Sequence, residues 1–137
     1  EAHAWQFAAF GLPVACVQPA GREVVFGVFE FKDGEAVRLV AERVGSPADL
    51  AAALPGPAVV CGSLPPGRLA ELRQYAREGW VILSGTAGRR RPGVLAEVAW
   101  GRLLAGRTDD PLALEPLYVR PPQITPPRRS PFSPDGP

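Results

Sequence analysis

The stretch Val24-Val25-Phe26-Gly27-Val28-Phe29-Glu30-Phe31 constrains the fold more than any other part of the chain. In an extended strand, successive side chains point to opposite faces. Val25, Phe29 and Phe31 then share one face, and Val24, Phe26 and Val28 the other. Both faces are apolar, so this strand has to lie inside a sheet that is covered on both sides. The flanking segments supply its neighbours. Val14-Ala15-Cys16-Val17 is a short apolar strand, separated from 24–31 by a turn at Pro19-Ala20-Gly21-Arg22. Lys32-Asp33-Gly34-Glu35 is a hairpin turn, because Asp-Gly accepts the positive φ angles that a tight turn needs. Residues 37–44 alternate Arg38, Val40 and Glu42 with Val37, Leu39 and Ala41, which predicts an outer strand. These three strands form an antiparallel meander.

The pattern then changes from strands to alternating helices and strands. Ser46 is a good N-cap, Pro47 suits the first helical position, and the charge of Asp49 favours a helix start, so 48–54 is a helix. Ala58-Val59-Val60-Cys61 is an unbroken apolar run, as in a parallel sheet. Ser63 is expected to cap a helix with a buried stripe of Leu69, Leu72 and Ala76, ended by Gly79. Trp80-Val81-Ile82-Leu83 reads as another buried strand, 85–92 as a loop, and 94–104 as a last helix with Val94, Leu95, Val98 and Leu103 turned inward. Residues 1–10 read as the end of a helix stopped by Gly11. The order β-β-β-α-β-α-β-α predicts an α/β fold: a mixed five-stranded sheet with helices packed on it, close to the ribonuclease H-like unit of the actin-like ATPase superfamily.

Composition narrows the function classes. The chain has 137 residues, 46% hydrophobic and 21% charged, which suits one globular core. Net charge is +1, so charge alone does not point to nucleic acid. Lys32 is the only lysine; the rest of the basic charge is arginine, and with abundant Ala, Gly and Pro this fits a GC-rich genome. There is no methionine, so Glu1 is not read as a natural start and an N-terminal portion is expected to precede it. No apolar run approaches the ~20 residues of a membrane helix, and nothing suggests an oxidising compartment, so a cytoplasmic protein is expected. Seven prolines fall in 121–137, a composition that favours extended or disordered chain.

Few residues announce chemistry. Cys16 and Cys61 sit in apolar runs and read as buried, reduced thiols, with a disulfide open if their strands are neighbours. Two cysteines and one histidine show no metal-site spacing, and His3, with no partner nearby in sequence, reads as a surface or helix-end residue. No metal, cofactor or catalytic residue is assigned. The Cys61-Gly62-Ser63 strand end has neither a dinucleotide-binding glycine pattern nor a P-loop lysine. The loop Gly85, Thr86, Gly88, Arg89, Arg90 and Arg91 is glycine-rich and basic; it is either a solvated loop or a grip on a nucleotide or RNA phosphate. Trp5, Trp80 and Trp100 read as core or domain-contact residues.

Three places resemble the TsaB (YeaZ) family. Residues 1–17, with Trp5 and Gly11-Leu12-Pro13-Val14, are similar to that family's junction between halves. Ala20-Gly21-Arg22-Glu23-Val24-Val25 is similar to its next strand entry. Pro116-Leu117-Tyr118-Val119-Arg120-Pro121-Pro122, after an Ala/Leu-rich helix, resembles its ending. Gln18-Pro19 and Phe26 depart from it, and the family's N-terminal strand and glycine-rich segment are absent. The resemblance implies the second half of a bacterial protein: 1–12 ending an inter-lobe helix, 13–108 a ribonuclease H-like lobe, and 109–137 a C-terminal segment and tail. Pro116, Tyr118 and Arg120 would pin that segment, the Tyr118 ring by packing and the Arg120 guanidinium by bonding backbone carbonyls. It also implies a non-catalytic scaffold that supports a TsaD-type enzyme in threonylcarbamoylation of tRNA adenosine. The partner would be met mainly through the missing half, a homodimer is possible, and tRNA would be touched only indirectly. Older usage calls such proteins glycoprotease-like; a peptidase would need a histidine pair or a nucleophile with a base.

Overall fold

The computed structural model describes residues 1–119. Arg120 and the proline-rich stretch beyond it lie outside the described residues. The chain runs α1 (Ala2–Trp5), a single 3-10 turn (Ala8–Phe10), β1 (Val14–Ala20), β2 (Glu23–Lys32), β3 (Glu35–Gly45), α2 (Pro47–Ala53), β4 (Ala58–Gly62), α3 (Pro66–Gln74), β5 (Trp80–Ile82) and α4 (Pro92–Leu104). The strands make one five-stranded sheet in the order β3-β2-β1-β4-β5. β1, β2 and β3 are antiparallel neighbours, while β4 is parallel to β1 and β5 parallel to β4. The meander, the alternating second half and the mixed sheet all match the sequence reading.

Each face of the sheet carries its own core. Ala15, Val17, Val24, Phe26, Val28, Ala58 and Val60 point to the side covered by Leu50 and Leu54, from α2 and its end, and Leu72 of α3. Val14, Phe29, Val59 and Cys61 point to the other side, under Ala4 and Phe7. β2 is therefore buried on both faces with the residue split that its sequence dictates. Burying each such side chain contributes about 1.5–3 kcal/mol. The 32–35 turn forms with Asp33 at φ 51° and Gly34 at φ 76°, the left-handed pair of a tight hairpin. At α2 the Ser46 hydroxyl accepts from the Asp49 N–H, the Asp49 carboxylate accepts from the Ser46 N–H, and Pro47 takes the first position.

Several expectations are corrected. β1 continues through Pro19 to Ala20; its pairing with β4 ends at Val17, so a residue without an N–H is tolerated where β1 has one neighbour. In β3 the inward residue is Val40, while Val37 and Leu39 are exposed; β2 and β3 shift register around Val28, which decides the face. Ser63 does not cap α3: Pro65 and Pro66 move the helix start downstream, with Pro66 in the first turn. α3 ends at Gln74, leaving Ala76 beyond the helix and exposed. Gly79, at φ 80°, instead turns the chain into β5. β5 is an edge strand with Val81 exposed. α4 buries no residue fully, and Leu95 and Leu103 face solvent with Trp100 and Leu104. It leans on α1, with Arg102 paired to Glu1, and does not lie on the sheet. Among the described residues no helix is long and apolar enough to cross a membrane.

Candidate functional site

The residues with chemical potential gather under α1. Cys16 and Cys61 are register partners in the parallel β1–β4 ladder, and parallel partners point to the same face. Their sulfurs are 3.6 Å apart, within hydrogen-bond reach and not joined as a disulfide. α1 lowers His3 onto the same place, where the residue is only 8% exposed. The ligand atoms of His3, Cys16 and Cys61 all lie within 4.8 Å of one another. His3 is thus a buried member of a cluster rather than a surface residue, and the two strands are indeed neighbours. No linear spacing announces this; only the sheet register and the docking of α1 create it.

His3 Nε2 lies 2.8 Å from the Gly88 carbonyl oxygen. A carbonyl can only accept, so Nε2 carries the proton, and a neutral ring presents Nδ1 as a lone pair. The Cys16 thiol is lowered to about 6, first by the hydrogen bond from Cys61 and then, against the opposing effect of burial, by His3. Cys61 is pushed up: it keeps the shared proton, burial disfavours its anion, and the Cys16 charge repels a second one. The two thiols therefore titrate as a pair, the first proton leaving more readily than the second.

The glycine-rich loop is tied to the same helix. Gly88 is buried, and a Cβ there would sit 2.5 Å from the Leu83 carbonyl oxygen. The Gly88 carbonyl accepts from His3, and the Arg89 carbonyl accepts from Gln6 Nε2 at 3.1 Å. Gly85, Thr86, Arg89, Arg90 and Arg91 are exposed. Arg90 and Arg91, with His3, Pro92 and Leu95, line a shallow cleft of about 380 Å³. The loop thus joins His3 to a basic rim, yet its fixed groups are carbonyls rather than phosphate-binding N–H groups.

The C-terminal motif is placed only in part. Pro116 and Tyr118 are exposed, and the Tyr118 ring does not pack against the lobe. After Arg107, which pairs with Glu35, the described chain forms a local turn in which the Asp110 carboxylate accepts from the Leu112 N–H. Arg120 lies outside the described residues. Of the tryptophans, Trp5 meets Phe31 edge to face at 4.9 Å, Trp80 donates to the Gly56 carbonyl, and Trp100 stands in solvent.

A three-strand meander continued by parallel strands, with helices on both faces, defines a ribonuclease H-like fold. Solved structures with a similar fold include a YeaZ protein and a YeaZ-like one. One is an uncharacterized protein with similarity to peptidase YEAZ from Pseudomonas aeruginosa, at TM-score 0.59 and 18% identity, covering 87% of this chain and 54% of that one. Another is YeaZ from Pseudomonas aeruginosa, at TM-score 0.53 and 19% identity, covering 77% of this chain and 47% of that one. The chain spans about half the length of these structures. No protein-family model and no curated protein matches it.

Proposed function

We propose that this chain is the C-terminal lobe of a YeaZ-like (TsaB-like) protein and that it works as a non-catalytic scaffold. In this reading it completes a two-lobed cytoplasmic protein that supports a TsaD-type enzyme as that enzyme threonylcarbamoylates adenosine in tRNA. The observation that carries the reading is the fold likeness over 87% of this chain to about half of a YeaZ-like structure. The apolar outer surface of α4, with Leu95, Trp100, Leu103 and Leu104 uncovered, supports a lobe that sits against another protein surface. The test is to mix the full-length parent with a TsaD-type protein and measure both complex formation and modified adenosine. A complex with a gain in modification supports the role; neither one appearing removes it.

A second reading makes the basic cleft beside Arg90 and Arg91 a nucleotide or RNA site. Titration of ATP and of tRNA at low and high salt separates the two. Phosphate contacts weaken steeply with salt, and no binding at either salt ends this reading. A peptidase role would have to use Cys16 with His3, which meet where α1 packs on the sheet, and peptide hydrolysis assays with and without metal test it.

A further inference from the structure

We propose that His3, Cys16 and Cys61 form a binding site for a zinc-type divalent cation, which fastens α1 to the β1–β4 junction. The donor set is two thiols and an imidazole, the combination that borderline-soft cations such as Zn²⁺ prefer. Two sulfurs on one tetrahedral zinc, each at about 2.3 Å, stand about 3.8 Å apart, and a bound imidazole nitrogen stands about 3.6 Å from each sulfur. The Cys16 and Cys61 sulfurs are already 3.6 Å apart. The three donor atoms lie within 4.8 Å of one another, so His3 closes any remaining gap with a movement of about 1 Å or a little more.

The surroundings agree with a metal. Histidine ligands usually donate their second ring N–H to a carbonyl or carboxylate, which fixes the tautomer and aims the free nitrogen at the ion. His3 has this arrangement through Nε2 and the Gly88 carbonyl. Charge also balances: two thiolates and a neutral imidazole around Zn²⁺ sum to zero, as a place walled by Ala4, Phe7, Val14, Phe29 and Val59 requires. Binding displaces thiol protons to solvent and changes no oxidation state. Three protein ligands leave the fourth tetrahedral position to water or a small ligand. A disulfide is the rival use of the same sulfurs, but it needs them at about 2.05 Å.

The test uses the intact protein, reduced, stripped with a chelator and kept from air. Co²⁺ is added as the spectroscopic stand-in and Zn²⁺ as the competitor. One equivalent of Co²⁺ should give thiolate-to-metal charge-transfer absorption with the strong visible bands of a tetrahedral ion, and Zn²⁺ should abolish both. Zn²⁺ should also slow alkylation of both thiols in the native wild-type protein by more than tenfold, a measurement that needs no variant. Cys16→Ser and His3→Gln should each weaken binding by more than tenfold while remaining folded by circular dichroism. The proposal is overturned if folded, reduced wild-type protein shows neither charge transfer nor protection. Undiminished binding in both folded variants would place the ion elsewhere and overturn it too, as would sulfurs that pair as a disulfide despite reductant and excess Zn²⁺. None of these outcomes depends on the scaffold role.

Discussion

Gly62 ends β4 where β1 passes closest: a Cβ there would stand 1.8 Å from the Val17 carbonyl oxygen, and the residue has φ 156°. Backbone cannot yield that much, so Gly62→Ala should destabilise the lobe by more than about 2 kcal/mol, read from urea unfolding. Gly88→Ala should also be costly, because Leu83 and Gly62 backbone oxygens crowd its Cβ position. Gly85→Ala meets open space and pays only for its φ of 60°, about 1 kcal/mol. In the sequence these two loop glycines look alike. Only the packing of the loop against the Leu83 and Gly62 backbone distinguishes them. The thiol–imidazole cluster is hidden because its partners come from the sheet register and the N-terminal turn; the reading as a small buried hydrophobe holds for Cys61, while Cys16 is only half-buried.

The elements were most legible where local chemistry decides them. Ser46, Pro47 and Asp49 specify the start of α2 by themselves, and the hydrogen bonds form as their types require. Ser46→Ala should cost about 1 kcal/mol in thermal unfolding. The Asp49 carboxyl is held below its ordinary value by hydrogen bonds from Ser46. A depressed acid stabilises the fold above its unfolded pKa and loses that contribution as pH falls through the lowered value. The acid limb of a stability-against-pH curve should therefore shrink in Asp49→Asn, and the opposite change would contradict the capping role. α4 was less legible, because apolar spacing shows which stripe could be buried but not whether anything covers it. Trp100→Ser should change the stability of this lobe by less than about 0.5 kcal/mol. Leu72→Ala, inside the larger core, should cost about 2–5 kcal/mol. Denaturant titration of the two variants side by side checks the contrast.

At the scale of the molecule, the meander and the mixed sheet followed from pattern, because the two-sided β2 needs two neighbours and the helix–strand alternation after Gly45 needs parallel crossovers; that β4 joins at β1 is read only from the structure. What pattern could not supply is how far each surface is finished. If the scaffold reading holds, Trp100 should be less accessible to a fluorescence quencher in the full-length parent or its complex than in this lobe. Equal accessibility in all three would assign the α4 surface no partner there. The sheet itself carries a further consequence. β1 is where the antiparallel and parallel halves meet, and its partner β4 arrives late, with Cys61 following Cys16 by 45 residues. Hairpins close within microseconds, whereas a ribosome adding about 5–20 residues per second takes roughly 2–9 s to deliver that interval. During synthesis the emerging meander therefore carries an unpaired, apolar strand edge for seconds, which makes the nascent chain, more than the finished protein, the form that aggregation threatens and chaperones would need to shield.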